Sequence, residues 1–280
     1  MAMDKVSVIM PCFNDGKYIK EAIDSVLNQT YKDIEIIVVD DGSDDKETID
    51  VVDSLVHPQI KVFRTNRLRP AGARNYGIEH ATGKYILPVD SDDKIDPTYV
   101  EKAVDILKSK PKIGVVYCLA DLFGEATGKW ELPQYNFRTM LLDNIVFVTA
   151  MFYKADWEKV GGFNTSMKYG MEDYDFWISL LEIGREIYQI PETLFHYRIK
   201  PVSRTTKFQD NCADKQETYR QIYYNHPTFY EKYKEEYAIV LRDALIEQVH
   251  LRQKYEKSFE IIEKLYKFPV IKWIVNKIIK

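Results

Sequence analysis

Strand-length apolar runs alternate with helix-period segments through the first 120 residues, and that alternation leaves few architectures open. Val6-Ser-Val-Ile-Met10 is a short β-rich run ended by Pro11. Ile34 to Val39 is a nearly continuous apolar run of strand length, the pattern of a strand covered on both faces. Lys61-Val-Phe63 and Tyr85 to Val89 read as two further strands. Between them lie helical segments. From Tyr18 to Leu27 the apolar residues Tyr18, Ile19, Ala22, Ile23, Val26 and Leu27 share one helix face. Thr48 to Val56 reads as a helix, as does Ala71 to Ala81, closed by Gly83. Pro97 suits the first position of a helix running to about Leu107. Such alternation implies a parallel sheet with right-handed crossovers, and ligands then gather at the carboxyl ends of the strands.

The second part of the chain is more mixed. Ile113 to Leu119, Ile145 to Tyr153 and Phe195 to Arg198 read as strands, and Ala155 to Val160 and Glu172 to Ile183 as helices. After Arg204 the composition shifts to long, charged, Tyr-rich helices broken at His226-Pro227 and at Pro269. The expected organisation is an α/β domain over 1–205, with halves 1–93 and 94–205, and a helical extension over 206–280. The 45% hydrophobic and 29% charged residues exclude a disordered chain, and a net charge of −4 gives no support to a nucleic-acid coat. Cys12, Cys118 and Cys212 form no CxxC pair, which favours a reducing compartment. The start, Met1 to Lys5, has no signal-peptide pattern, and no apolar run approaches the roughly 18 residues of a bilayer span. A cytoplasmic protein is expected.

Polar residues collect at the expected strand ends. Strand one leads into Pro11-Cys-Phe-Asn14-Asp15, strand two into Asp40-Asp41-Gly-Ser43, and strand four into Asp90-Ser91-Asp92-Asp93. Each alone is an ordinary turn composition, whereas three on one rim suggest a site. Asp90 and Asp92, two residues apart after a buried strand, suit a hard divalent cation such as Mg²⁺ or Mn²⁺. A carboxylate at Asp40 or Asp41 can accept a nucleobase N–H, and the same turn also suits helix capping. Arg69 to Gly77 opens a small-residue helix whose N-terminus can meet an anion, with Arg74 reaching a phosphate or a rim carboxylate; close packing on the sheet explains the same glycines. Neither GxGxxG nor GxxxxGK[ST] is present, so a dinucleotide or P-loop site has no support.

A second constellation follows Gly161-Gly-Phe163. Asp173 falls at a helix start, where the dipole favours an ionised carboxylate able to take a proton from a hydroxyl. Trp177, four residues on, is either a sugar platform or, in the favoured reading, core. His196 is either a packed histidine or a nitrogen ligand for the cation. The loop from Asn164 to Glu172, with Lys168 and Tyr169, is a candidate lid or an ordinary surface loop.

VSVIMPCFN (6–14), IEIIVVDDGS (34–43), RPAGARNYGI (69–78), ILPVDSDD (86–93), GGFN (161–164), EDYDFW (172–177) and HYR (196–198) occur in the order found in family 2 glycosyltransferases, which the chain resembles. The resemblance implies a GT-A fold, a Rossmann-like mixed sheet flanked by helices, here with a C-terminal helical extension. It implies inverting, metal-dependent transfer from a nucleotide-diphosphate sugar, most often a UDP-sugar, to a glycan or lipid-linked acceptor. It places Pro11, Asn14, Asp15 and Asp41 around the nucleoside, supported by Asp40 and Arg74, with Asp90 and Ser91 in the nucleotide-binding set. It makes Asp92 the main ligand of Mn²⁺ or Mg²⁺, with Asp90 assisting and His196 as a later ligand, and Asp173 the general base. The QxxRW motif of processive membrane synthases is absent, which favours single-sugar transfer. A non-catalytic sugar-nucleotide-binding subunit is the alternative, opposed by the Glu172-Asp173 pair. A nucleotidyltransferase is opposed by the lack of a glycine-rich basic first loop.

Residues 268–280 form an amphipathic pattern, and 267–280 contain no acid. Such a segment suits peripheral contact with the inner face of a membrane, or packing on the body or on a second subunit of a homodimer. Both occupants stay open at this stage.

Overall fold

The computed structural model describes residues 4–201, 208 and 211–278. They divide into a unit running to Lys232 and a second one from Tyr233. The boundary expected at 205/206 lies outside the described residues, and the first unit extends beyond it.

The first unit is built on one mixed sheet. Its strands are β1 (Val6–Cys12), β2 (Ile34–Asp40), β3 (Ile60–Arg64), β4 (Tyr85–Pro88), β5 (Lys94–Ile95), β6 (Ile113–Gly124), β7 (Gly128–Lys129), β8 (Met151–Tyr153) and β9 (Glu186–Ile199). They are ordered β3-β2-β1-β4-β8-β6-β9-β5, with β7 on β6. The first four are mutually parallel, β8 is antiparallel to both neighbours, and β6 and β9 are parallel. Helices α1 (Gly16–Leu27), α2 (Lys46–Asp53), α3 (Arg69–Glu79) and α4 (Tyr99–Ser109) fill the crossovers; α5 (Phe137–Met140), α6 (Lys154–Val160) and α7 (Glu172–Glu182) follow.

The apolar faces go where the periodicity puts them. All of β2 is buried, and α1 buries Ile19, Ala22, Ile23 and Val26. Helix α3 lies so close to the sheet that a Cβ on Gly77 would stand 2.7 Å from Ile9 Cγ2. Close packing is therefore one task of that small-residue helix.

Three local readings change. Pro11 does not end β1, which continues to Cys12. Ile9 faces β4, accepting from Val89, and Pro11 points the same way after β4 pairing has stopped, so its missing N–H removes no ladder bond. The strand expected over Ile145–Tyr153 shrinks to β8 because its first part bonds to side chains: Asn144 Oδ1 accepts from Val146 N (3.1 Å), and Val146 O accepts from the Trp177 indole (3.0 Å). The short strand expected at Phe195–Arg198 is the end of the 14-residue β9. Pro191 falls in a bulge there, where the β6 partners jump from Ile190 to Thr193.

Helices α8 (Cys212–Asn225) and α9 (Pro227–Lys232) complete the first unit. Asn225 Nδ2 donates to Asp175 (2.6 Å), and the buried His226 lies 3.0 Å from Glu182. The second unit holds the 33-residue α10 (Lys234–Tyr266) and α11 (Pro269–Ile278), breaking at Pro269 as the sequence implies. Phe268, Val270 and Trp273 are 60%, 67% and 62% exposed. No described helix is long and apolar enough to cross a membrane.

Candidate active site

The carboxyl ends of β1, β2 and β4 deliver the polar loops to one rim. Asn14, in the left-handed region at φ 56°, ties the first loop to the second. Its Oδ1 accepts from Asp44 N (3.0 Å), its Nδ2 donates to Asp44 Oδ1 (2.7 Å), and its backbone N–H donates to Ser43 Oγ (3.0 Å). Pro11 stands half-buried where this loop leaves the sheet.

Asp40 and Asp41 are both buried. Asp40 accepts from Ser43 N (3.0 Å) and Arg64 Nε (3.3 Å). Asp41 accepts from Thr65 Oγ1, Leu68 N and Arg69 N, each at 2.7 Å. The anion expected at the start of α3 is thus met first by the chain's own Asp41. A carboxylate offers about four acceptor positions, so three donors leave capacity for one more.

Arg74 joins the two constellations. It is buried, donating to Asp90 Oδ1 at 2.7 Å and to Glu172 Oε1 at 2.9 Å. Of the two partners foreseen for it, the rim carboxylate is the one it has. Glu172 and Asp173 open α7 directly after Met171, which takes a left-handed conformation at φ 61°. One turn of β4 loop and the first turn of α7, about 80 residues apart in sequence, thereby meet on a single guanidinium.

The Gly161-Gly162 turn supports this meeting. A Cβ on Gly162 would come within 2.8 Å of Asn75 Oδ1, and that oxygen accepts from Phe163 N (2.8 Å) and Trp157 Nε1 (3.0 Å). Trp177 is wholly buried with its indole N–H on Val146 O, so it is core and not a sugar platform.

Asp173 is half-buried beside Glu172 and Arg74. Burial, with the Glu172 charge added, raises its carboxyl to about 6, against the lowering effect of Arg74 and of hydrogen bonds from Tyr174 N and Asn144. The helix dipole expected to favour the ionised form is outweighed. A carboxylate at this value is ionised at neutral pH and basic enough to take a hydroxyl proton in a transition state.

The loop after β4 gathers three carboxylates, Asp90, Asp92 and Asp93. Asp92 is raised by burial and by Asp90. Asp93, buried and accepting from Arg198 N (2.8 Å), is raised well above the usual range by burial and by Asp92. Asp15 accepts from Ser91 Oγ (3.1 Å) and from Lys200 Nζ (2.9 Å), and the same ammonium lies 2.6 Å from Asp92 Oδ2. Among the described residues no three His, Cys, Asp or Glu side chains form a metal cage. Mg²⁺ and Mn²⁺ are commonly held by one or two carboxylates with water and substrate phosphate, and the hard oxygens of Asp92 and Asp90 fit that mode.

His196 pairs in register with Lys94 of β5, two residues beyond Asp92, and its Nδ1 lies 2.6 Å from Asp121 Oδ1 on β6. Asp121 and Lys200 escaped sequence reasoning. An acid inside a strand and a lysine after the HYR motif carry no local pattern, and their partners lie 75 and 108 residues away.

A model of the family described as Glycosyl transferase family 2 matches residues 7–166. An uncharacterised glycosyltransferase of Rickettsia typhi is 34% identical over 213 residues, 71% of this chain and 65% of that protein, so the chain spans just under two thirds of that relative. A chondroitin synthase of Pasteurella multocida is 29% identical over 186 residues, 64% of this chain and 19% of that one. S. aureus TarS 1–349, solved in complex with UDP-GlcNAc, superposes with a TM-score of 0.66 at 22% identity, over 79% of this chain and 66% of that one. That last likeness is one of fold. With the matched region covering more than half of its residues, the chain belongs to glycosyl transferase family 2, with the mixed sheet and flanking helices of the GT-A fold.

Proposed function

We propose that the protein is an inverting glycosyltransferase that moves a sugar from a UDP-sugar to a hydroxyl of a glycan or lipid-linked acceptor. The observation that carries this reading is the Asp90–Arg74–Glu172 bridge, which brings the acidic turn and the start of α7 onto one guanidinium. Asp173 takes the proton as the acceptor oxygen attacks C1 of the sugar, and the bond from C1 to the diphosphate oxygen breaks on the opposite face. UDP leaves with that electron pair. Asp92, with Asp90, would hold a divalent cation, which would supply positive charge to the departing diphosphate. Asp41, Asp40, Asn14 and Pro11 face the nucleoside, and Arg74 supports them by fixing Asp90 and Glu172. The UDP-GlcNAc bound to TarS supports uridine as the base. A sugar-nucleotide binder without catalysis has no use for a carboxylate held at about 6, and that favours the transferase.

The test is incubation of the purified protein with UDP-, GDP- and dTDP-sugars and Mn²⁺, scoring slow donor hydrolysis. Release of UDP from at least one UDP-sugar, abolished by chelator, is expected. Turnover confined to another nucleotide, or undiminished in chelator, contradicts the reading.

A further inference from the structure

The cation loop already holds a cation of its own. Lys200 Nζ lies 2.6 Å from Asp92 Oδ2 and 2.9 Å from Asp15 Oδ1, bridging the loops after β4 and β1. Its ammonium is largely sheltered, at 23% side-chain exposure, and Asp15 and Asp92 are themselves 17% and 16% exposed. This is no solvated surface pair. Burial opposes the lysine's charge, but the two carboxylates more than offset it and hold the ammonium above its ordinary range.

We infer that Lys200 is a tethered counter-ion that occupies the divalent-cation seat until nucleotide arrives, which makes metal binding depend on the diphosphate. The inference rests on the proposed metal-dependent reading of Asp92. A divalent ion drawn to Asp92 Oδ2 would lie within a few ångströms of the ammonium. At such a separation a monovalent and a divalent cation repel strongly even where the surroundings screen them in part. One of the two has to leave. Lysine is suited to leaving, because its charge sits on a flexible four-carbon stem. Without nucleotide its displacement strands an ammonium away from its two carboxylates. With a diphosphate present, the phosphate oxygens offer that ammonium a new partner beside the same acidic turn. The metal and UDP therefore help each other bind, and linkage makes the factor reciprocal.

Titration of Mn²⁺ by electron paramagnetic resonance, with and without UDP, tests this on the full chain. Wild type should bind Mn²⁺ weakly alone and at least tenfold more tightly with UDP. Lys200→Met and Lys200→Gln should each bind Mn²⁺ alone about tenfold more tightly than wild type, and UDP should improve them less. Lys200→Arg, which keeps the charge, should behave as wild type. If the folded neutral variants bind Mn²⁺ alone no better than wild type while all forms bind it with UDP, Lys200 is only a structural ion pair and the inference is overturned. If no form binds Mn²⁺ even with UDP, the metal reading of Asp92 fails, and the counter-ion role falls with it.

Discussion

As the proposed general base, Asp173 needs two opposed properties, ionisation at working pH and enough basicity to accept a proton. Burial beside Glu172 raises it to about 6, which satisfies both. The turnover rate should fall about tenfold per pH unit below pH 6, and Asp173→Asn should lose about 10²-fold or more in rate and abolish that acid limb. The same shift bears on stability. A carboxyl whose folded value lies above its unfolded value favours the fold at low pH, and that contribution is lost as pH rises through about 6. One pKa unit is worth about 1.4 kcal/mol, and partial exposure discounts the total to on the order of 1–2 kcal/mol. Asp173→Asn should thus melt about 2–6 °C higher than wild type at pH 8 and no higher at pH 4, by calorimetry. A variant less stable at pH 8 would contradict this.

Helix α3 shows how the packing of an element sets the position of the side chain it delivers to a site. Arg74 reaches Asp90 and Glu172 only because Gly77, one turn on, lets the helix rest against Ile9 and Val39. Gly77→Val puts side-chain atoms where Cβ alone already clashes. Overpacking of about 2–3 kcal/mol exceeds the few tenths regained in helix propensity. The melting temperature should drop by about 5–10 °C, and an unchanged value would mean that the helix is free to lift. The elements legible in sequence include β2, whose unbroken apolar run marks a strand covered on both faces, and α1, whose apolar residues keep a helical period. The long β9 was hidden because Pro191 interrupts it, and 145–150 was misread because its apolar residues are buried without a ladder. The acidic motifs were readable since each closes a buried strand. Lys200 and Asp121 were not, because only tertiary folding supplies their partners.

At the scale of the whole first unit, the site is a meeting of charges. Asp15, Asp90, Asp92, Asp93, Glu172 and Asp173 converge on Arg74, Lys200 and the backbone of Arg198, and negative charge is in excess. Like charges gathered this way destabilise an empty cleft and favour a ligand that brings a cation. The proposed reading separates two functions: the β4 loop would hold the donor, and the start of α7 would act on the acceptor. Calorimetric titration of UDP in the presence of Mn²⁺ compares the two directly. Asp92→Asn should weaken UDP binding by more than tenfold, while Asp173→Asn keeps it within about twofold of wild type. Full UDP affinity in Asp92→Asn, or equal losses in both variants, would contradict the assignment of donor and acceptor chemistry to these two carboxylates.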